Sequence, residues 1–489
     1  MLHTQWSTTE HLELARRCDE SRPSCKRCLK SKRTCPGYDE PSSSFHFRHY
    51  VPVNHVHDDP DIPPADSRRA SGQGDSVRRK TAAVPSDFES AQLEDDALDT
   101  FLLEYCVESN DKSISRGFLD GLESLITTAG RSSDLAHAAR IVALAGIGNR
   151  RRDHNLVHRT RQRYGDLLLS FRQTLADLET ASTIESLMTA VLLGIYEIVA
   201  ADLANHQTQH TTHVAGVAAI LSAQNSPFDL PGGLELFQLH NPIMLTRPLQ
   251  QRNNGGVLCA AISSPWVQSL DALLVQFNPI SNNARALFDQ VSVPTQDEVL
   301  QVLEKAVQLE REFAAWAASQ PEKWTPITID LSRLSEDDCG HPGKVDIYFD
   351  LYVAAVWNTY RKTRLLMLDV IFRCRSLIGR DGASGNQETE EAQILALDII
   401  ASIPYHLSSD PERFVREREK SLSEVAPGTK TAGGLLLLHP MWVVTVSSVV
   451  SSELRSSARD CLAWIGRHMG INQATMLSRV SVLKKPNFV

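Results

Sequence analysis

Apolar residues recur at helical spacing through most of the chain beyond residue 90, and this periodicity constrains the fold more than any other feature. Leu93, Ala97, Phe101 and Tyr105 follow one another at intervals of four, which places them on one face of an amphipathic helix. Runs that alternate apolar and polar residues between turn signals, the mark of strands, are scarce. The sequence therefore predicts an all-α body over residues 91–489, made of about ten or more helices.

Two consecutive segments predict the centre of this body. Within 155–179 the apolar residues step by four and three, with arginines on the opposite face. These apolar residues are Tyr164, Leu168, Phe171, Leu175 and Leu178. The next segment, 183–204, is apolar on nearly all sides, which is typical of a buried helix. We expect it to be the central helix of a bundle, followed by a further helix over 207–223.

Later helices have equally local signals. Thr295 and Glu298, directly after Pro294, fit a capping box. The residues that then share one face are Val299, Leu303, Ala306, Leu309, Phe313 and Trp316. Further helical patterns cover 346–368, 388–403 and 454–468. The apolar stretch 435–450 is too short and interrupted by Pro440 to span a membrane, and we expect one or two buried helices there.

The chain carries its positive charge unevenly. Its composition, with 42% hydrophobic and 22% charged residues, is that of an ordinary globular protein. A formal net charge of −9 argues against a protein that coats nucleic acid with its whole surface. Residues 16–33, however, carry eight basic and two acidic side chains. A local surplus of six positive charges on an acidic chain indicates a small head that binds a polyanion.

Four of the nine cysteines lie in the region of this head, at Cys18, Cys25, Cys28 and Cys35. Isolated cysteines elsewhere, on a large chain without a signal-peptide pattern, are typical of a reduced intracellular protein, so the cluster indicates a metal rather than disulfides. Zinc takes four such ligands in a tetrahedral shell, and the sequence predicts zinc as the cofactor. The residues predicted to contact DNA are Arg16, Arg17, Lys26, Arg27, Lys30, Lys32 and Arg33.

The wording around the cysteines, RRCDESRPSCKRCLKSKRTCPGY, resembles the C-terminal half of the fungal zinc binuclear-cluster (Zn2Cys6) DNA-binding domain. In that family six cysteines hold two zinc ions, and the first and fourth cysteines bridge both ions. The resemblance implies that Cys18 and Cys25 are the third and fourth ligands. It implies that Cys28 and Cys35 are the fifth and sixth.

The body carries a second resemblance, to the helical regulatory domain that follows the zinc cluster in fungal transcription factors. The matching phrases are RYGDLLLSFRQTLAD, ESLMTAVLLGIYEIVAA, HTTHVAGVAAIL, WNTYRKTRLLML and CLAWIGRHMGINQA. Between head and body, the Pro-, Ser- and Arg-rich composition is typical of a disordered linker. The sequence thus predicts a partial zinc module over 1–38, a linker over 39–90 and the helical regulatory domain over 91–489.

The head departs from the family pattern at its beginning. By the family's spacing the first two cysteines fall at positions 8 and 11, where this chain has Thr8 and His11. The basic helix that enters the major groove in the family is replaced by 10–15, which is mostly acidic or apolar. Three interpretations stay open. The gene model lacks the true N-terminal exon, the protein has lost half of the cluster, or the four cysteines hold one zinc and keep some DNA affinity.

Each of three other features has both a structural and a functional interpretation. His206, His210 and His213 share one predicted helix face and could approach a metal, but no HExxH motif accompanies them, which favours packed or solvated histidines. Gly146-Ile147-Gly148 lacks the strand and third glycine of a dinucleotide site. Glu197 lies within the apolar segment 183–204, and a hydrogen-bonded structural role is favoured because a lone buried charge is costly.

Together, the resemblances imply a nuclear, sequence-specific regulator of RNA polymerase II genes that controls a specialised metabolic or biosynthetic gene set. The implied partners are duplex DNA, a homo- or heterodimer partner and a small-molecule effector, and no membrane is expected among them. One alternative is a coregulator deficient in DNA binding that acts through its helical domain. An all-α enzyme is the other alternative, but no carboxylate–histidine cluster or cofactor motif supports it, and we expect no enzyme activity.

Overall fold

The computed structural model describes residues 87–111, 114–115, 117–181, 183–201, 228–229, 250–251, 265–290, 293–330, 344–379, 384–409 and 430–479. The predicted zinc module over 1–38, nearly all of the linker over 39–90 and the predicted helix over 207–223 lie outside these ranges. The described ranges belong almost entirely to the predicted helical body.

Helices make up most of the described chain, which confirms the all-α prediction. In chain order they are α1 (Asp87–Tyr105), α2 (Leu122–Ala129), α3 (Asp134–Arg151), α4 (His154–Thr174), α5 (Leu178–Ala181), α6 (Ile184–Val199), α7 (Pro265–Asp289), α8 (Gln296–Ala318), α9 (Leu351–Leu377), α10 (Ser384–Ala401), α11 (Ile403–Leu407), α12 (Thr431–Val446), α13 (Ser452–Met469) and α14 (Asn472–Arg479). A 3-10 turn covers Glu322–Trp324.

The strands within the described ranges form two short antiparallel pairs. β1 (Phe228–Asp229) pairs with β2 (Gln250–Gln251). β3 (Ile327–Asp330) pairs with β4 (Lys344–Ile347), and Thr328 lies opposite Asp346 in their register. The second pair matters for function, because it delivers Asp346 to the start of α9.

Side-chain caps define where several helices begin. Ser133, Asp153 and Thr183 each accept a backbone N–H at the start of α3, α4 and α6, which satisfies donors that a helix leaves without partners. Thr295 and Glu298 form the predicted capping box at the start of α8. The predicted stripe on α8, from Val299 to Trp316, is buried throughout. Local sequence therefore controls these boundaries.

Two predicted helices have different bounds. The helix predicted over 155–179 ends at Thr174, where the Thr180 hydroxyl donates to the Thr174 carbonyl (2.5 Å). Its buried face contains Leu167, whereas the predicted Leu168 is only half-buried. The helix predicted over 346–368 was wrong at both ends. Asp346 lies in β4, Asp350 caps α9, and α9 continues to Leu377.

Two layers of packing build the core. In the first, α3 packs against α1, α4 and α6, and α6 is buried along almost its whole length. In the second, α7, α8 and α9 enclose an apolar core with Trp316 and Trp357 at its centre. Helix α12 contacts both, through α1 and α9, and is the buried helix predicted over 435–450. It approaches α11 so closely that a Cβ at Gly433 would lie 1.7 Å from the His406 carbonyl oxygen.

Candidate functional site

The residues predicted to bind zinc or DNA lie outside the described ranges. The zinc set is Cys18, Cys25, Cys28 and Cys35, and the DNA set is Arg16, Arg17, Lys26, Arg27, Lys30, Lys32 and Arg33. The histidines considered for a second metal site, His206, His210 and His213, lie outside them as well. These assignments remain predictions, and the described part of the chain offers a site of a different kind.

Among the described residues, no group of three His, Cys, Asp or Glu side chains is placed to hold a metal ion. The described cysteines are single: burial raises the pKa of Cys106 to about 12 and that of Cys374 to about 11. Thiols with such values stay protonated near neutral pH, so they are poor nucleophiles and poor metal ligands. Within the same ranges, no helix has the length and apolarity to cross a membrane.

The middle of α9 is the most unusual part of the described structure, because it buries a run of polar side chains. Each residue from Asn358 to Arg364, in the sequence NTYRKTR, is less than 10% exposed. Buried polar groups are costly unless they are hydrogen-bonded, and buried charges cost more. The partners of this run therefore decide what the helix can do.

Arg361 is the centre of the first group of partners. Its guanidinium donates to Asp346 Oδ2 (2.8 Å) and to the Tyr348 hydroxyl (2.5 Å). Its Nε lies 3.9 Å from a carboxylate oxygen of Asp398 on α10. The other oxygen of Asp346 accepts from Thr328 on β3 (2.7 Å). A single buried cation thus ties α9 to the β3–β4 pair and to α10.

Arg364, one turn further along α9, is the centre of the second group. Its Nε donates to Glu310 on α8 (3.0 Å), and its Nη2 pairs with Glu391 on α10 (2.9 Å). Its Nη1 donates to the Tyr360 hydroxyl (2.9 Å). We call the two arginines and the side chains that bond them the α9 polar cluster. The cluster joins four elements through charge-assisted hydrogen bonds, which are stronger than neutral ones.

A neutral branch extends the cluster toward α11. The Asn358 amide donates to the Ser402 hydroxyl (2.8 Å), and the Tyr405 hydroxyl donates to the Tyr348 carbonyl (2.9 Å). His406 is bonded through Nδ1 to the Ser402 carbonyl (2.9 Å). Burial lowers the pKa of His406 to about 4, so its ring is neutral near neutral pH. The short helix α11 is thereby fixed between α9 and α12.

Lys362 differs from its neighbours. Its side chain is only 6% exposed, and within the described ranges its ammonium makes no hydrogen bond or ion pair. Burial lowers its pKa to about 7, because the charged form of an amine is disfavoured away from water.

Glu197, the carboxylate inside the apolar helix α6, has the structural role that the sequence favoured. Its Oε1 accepts a hydrogen bond from the Tyr164 hydroxyl of α4 (2.5 Å). Burial raises the pKa of Glu197, while the bond from Tyr164 and the nearby Arg161 oppose that rise. Gly146 and Gly148 serve packing: a Cβ at Gly148 would lie 3.0 Å from Val157 Cγ2.

The α9 polar cluster can hold elements in fixed positions, and its groups are committed to one another. Sequence reasoning missed it, because WNTYRKTRLLML was interpreted only as part of the resemblance to the helical regulatory domain. The signal that could have revealed it is a run of seven polar or amphipathic residues inside an otherwise apolar helical segment. Seven consecutive residues cover every side of a helix, so when that helix packs against a core some of them must be buried.

The comparisons with known proteins bear on the whole chain. No family model matches it, and no solved structure is significantly similar to it. The chain is 33% identical over 402 residues to the transcription factor dbaG of Emericella nidulans, in an alignment that covers 81% of this chain and 93% of that protein. Likeness of this extent includes most of the helical body, because no other part of the chain is long enough to supply 402 aligned residues. The chain belongs to the family of fungal transcription factors that includes dbaG.

Proposed function

We propose that this protein is a nuclear, sequence-specific regulator of RNA polymerase II genes that controls a specialised metabolic or biosynthetic gene set. The observation that carries the proposal is the 33% identity over 402 residues to a fungal transcription factor. The protein is a regulator rather than an enzyme, as that relative's role supports. In this proposal the zinc-type head binds DNA and the helical body regulates its activity.

The chemistry of the head fits zinc. Cys18, Cys25, Cys28 and Cys35 supply four sulfur ligands, which is a complete tetrahedral set for one ion. A second ion of the binuclear type would need two more ligands, and Thr8 is a poor one. When bound, zinc would supply the cross-link that folds so small a module. The surrounding basic residues would then face DNA phosphates.

The helical body supports a regulatory role through its α9 polar cluster. Buried ion pairs link α8, α9, α10 and the β3–β4 pair, so a displacement of one of these elements would leave a buried charge without its partner. We propose that a small-molecule effector, or a partner in a homo- or heterodimer, acts on this body and thereby controls the head. Substitutions in the head and substitutions in the body should therefore cause separate defects.

The first test measures zinc and DNA binding in the purified full-length chain. We expect bound zinc by elemental analysis and salt-dependent affinity for duplex DNA by fluorescence anisotropy. Cys25→Ser combined with Cys28→Ser should lower both. Cys106→Ser is the matched control, because this single thiol of the described body should affect neither. Full DNA affinity in the Cys25 and Cys28 variant would contradict the proposed role of the head.

A second candidate function has its own observation. Thr8 stands where the family's bridging cysteine is expected, and 10–15 replaces the groove-entering basic helix. These residues favour a coregulator that works through the helical body in association with an intact factor. Chromatin immunoprecipitation separates the two functions. The coregulator would be favoured if the protein still occupies its promoters after Cys25→Ser with Cys28→Ser but no longer does so when a partner factor is deleted. Mapping the 5′ end of the transcript would show whether an exon with Cys-x2-Cys precedes this sequence.

A further inference from the structure

The hairpin of α3 and α4 concentrates positive charge on an acidic chain. Residues 150–163 contain six arginines and a single acidic residue, Asp153. The local net charge is +5 (six minus one), compared with −9 for the whole chain. The arginines are Arg150, Arg151, Arg152, Arg159, Arg161 and Arg163. This density is similar to that of the predicted DNA-binding head, yet it lies in the folded body.

Three of these arginines face solvent without a bonded protein partner in the described chain. Arg151, Arg152 and Arg161 are exposed, and within the described ranges they make no hydrogen bond or ion pair. Arg150 provides the contrast, because it donates to both oxygens of Glu104 on α1 (2.9 and 3.2 Å). Arg150 is thus used in packing, Arg151 and Arg152 remain available, and Arg161 has only its electrostatic interaction with Glu197.

The exposed polar surface continues along one face of α4. His154, His158, Arg161 and Arg172 are exposed and follow one another at helical spacing, so they lie in a line. The line spans about 27 Å at 1.5 Å per residue. The buried stripe that contains Tyr164 and Phe171 lies on another face of the same helix. We call Arg151, Arg152 and this line of four residues the α3–α4 basic surface.

Helix stability does not explain this charge. Cations stabilise the C-terminal end of a helix and destabilise the N-terminal end. Arg151 lies in the last turn of α3, where it is favourable. Arg161, by contrast, is the eighth residue of α4, where the helix dipole has little effect. Helix stability therefore accounts for Arg151 and not for Arg161.

The scaffold under the surface is rigid at both ends. Asp153 caps α4 by accepting from the backbone N–H groups of Asn155 and Leu156 (3.0 Å each). At the other end, Asp134 of α3 accepts from Ser170 (2.8 Å) and Thr174 (2.9 Å) of α4. Charges held on such a scaffold bind a regular partner at a lower entropic cost than charges on a loop.

We propose that the α3–α4 basic surface binds the phosphate backbone of duplex DNA next to the site contacted by the head. This inference rests on the proposed function, and it adds a second, sequence-independent contact made by the regulatory body. DNA offers one charge per about 1.7 Å of helix axis, which suits arginines and polar histidines set along one straight helix. The face has one exposed large apolar residue, Leu169, so it lacks the apolar centre typical of a protein interface.

The experiment measures affinity of the full-length chain for a random-sequence duplex by fluorescence anisotropy between about 50 and about 200 mM salt. The test variant is Arg151→Gln, Arg152→Gln and Arg161→Gln together. The matched control is Lys305→Gln, Arg311→Gln and Lys323→Gln, which removes the same charge from exposed positions on α8 and the 3-10 turn. We expect the test variant to bind about tenfold or more weakly, with a log–log salt slope shallower by up to about 2.7, and the control to bind nearly as the wild type does.

Each other outcome overturns the inference in an identifiable way. If the test variant binds like the control, while Cys25→Ser with Cys28→Ser abolishes binding, the surface is not a DNA contact and the proposed function stands. If the wild type binds no duplex even at low salt, DNA binding by this chain fails as a whole. If the test variant changes only the oligomeric state, measured by light scattering, the surface contacts a protein partner instead.

Discussion

Helices α6 and α9 are both buried, and they use opposite means to hold their places. Helix α6 is apolar on almost every side, with the half-buried carboxylates Glu185 and Glu197 near its two ends. Helix α9 instead buries Arg361, Lys362 and Arg364 within two turns. Apolar burial is non-directional and proportional to area, whereas a buried charge is stable only with a partner at the right distance and angle.

The difference suggests different tasks. An apolar helix such as α6 tolerates repacking by side chains of similar volume, which suits a structural centre. The α9 polar cluster accepts one arrangement, because displacement of β4, α8 or α10 would leave a charge buried without its partner. The cluster therefore fixes the positions of β4, α8 and α10 relative to α9.

The largest effect is expected when the cluster loses its central cation. Arg361→Met should lower the free energy of unfolding by about 3–5 kcal/mol, because Asp346 would stay buried with its charge uncompensated. The measurement is denaturant unfolding of the full-length chain, followed by circular dichroism. Lys305→Gln, an exposed change on α8, is the control and should alter stability by about 0.5 kcal/mol or less.

A double variant sharpens this prediction. Asp346→Asn combined with Arg361→Met should cost less than the two single changes added together, because the remaining amide carries no buried charge. Additive costs would show that the two side chains are not coupled. Stability equal to that of the wild type in Arg361→Met would show that α9 is held as α6 is, by apolar burial alone.

Lys362 should give the next largest effect, and its sign is set by its pKa. The ordinary value is 10.5 and the folded value is about 7. Between these values the unfolded chain binds a proton that the folded chain does not, so stability rises with pH, by about 1.4 kcal/mol per pH unit from this group. Below pH 7 the destabilisation is complete. Lys362→Met should therefore stabilise the protein at pH 7 and remove the increase of stability with pH that this group causes.

The measurement compares unfolding free energies of wild type and Lys362→Met at pH 7, 8 and 9, all within the window set by the two pKa values. The difference between the two proteins should shrink as pH increases. Lys305→Met is the matched control, because this lysine is exposed and its difference from wild type should stay constant. Parallel curves for Lys362→Met would mean that the ammonium has a partner in the folded protein.

The same contrast explains how far the sequence could predict the structure. Helix α6, the capping box at Thr295 and the buried stripe of α8 were predicted correctly, because they depend on neighbours a few residues away. The predicted start of α9 at residue 346 was wrong, since Asp346 belongs to a strand that pairs with residues 327–330. The α9 polar cluster was missed for the same reason: Arg361 meets Asp398 and Arg364 meets Glu310, and no local pattern records such distant partners.

The smallest effect tests the side-chain hydrogen bond between α4 and the apolar helix α6. Tyr164→Phe removes the hydroxyl that donates to Glu197 (2.5 Å) but keeps the ring, which stacks on Tyr196 at 4.2 Å between centroids. The expected loss is about 1–2 kcal/mol. Burial already raises the pKa of Glu197, and the bond from Tyr164 opposes the rise, so the variant should raise that pKa further. A carboxyl whose folded pKa is raised makes the folded protein less stable as pH increases through that pKa. The stability defect of Tyr164→Phe should therefore be larger at pH 7 than at pH 5. Glu197→Gln should remove this pH dependence. A pH-independent loss in Tyr164→Phe would show that packing, rather than the hydrogen bond, joins α4 to α6.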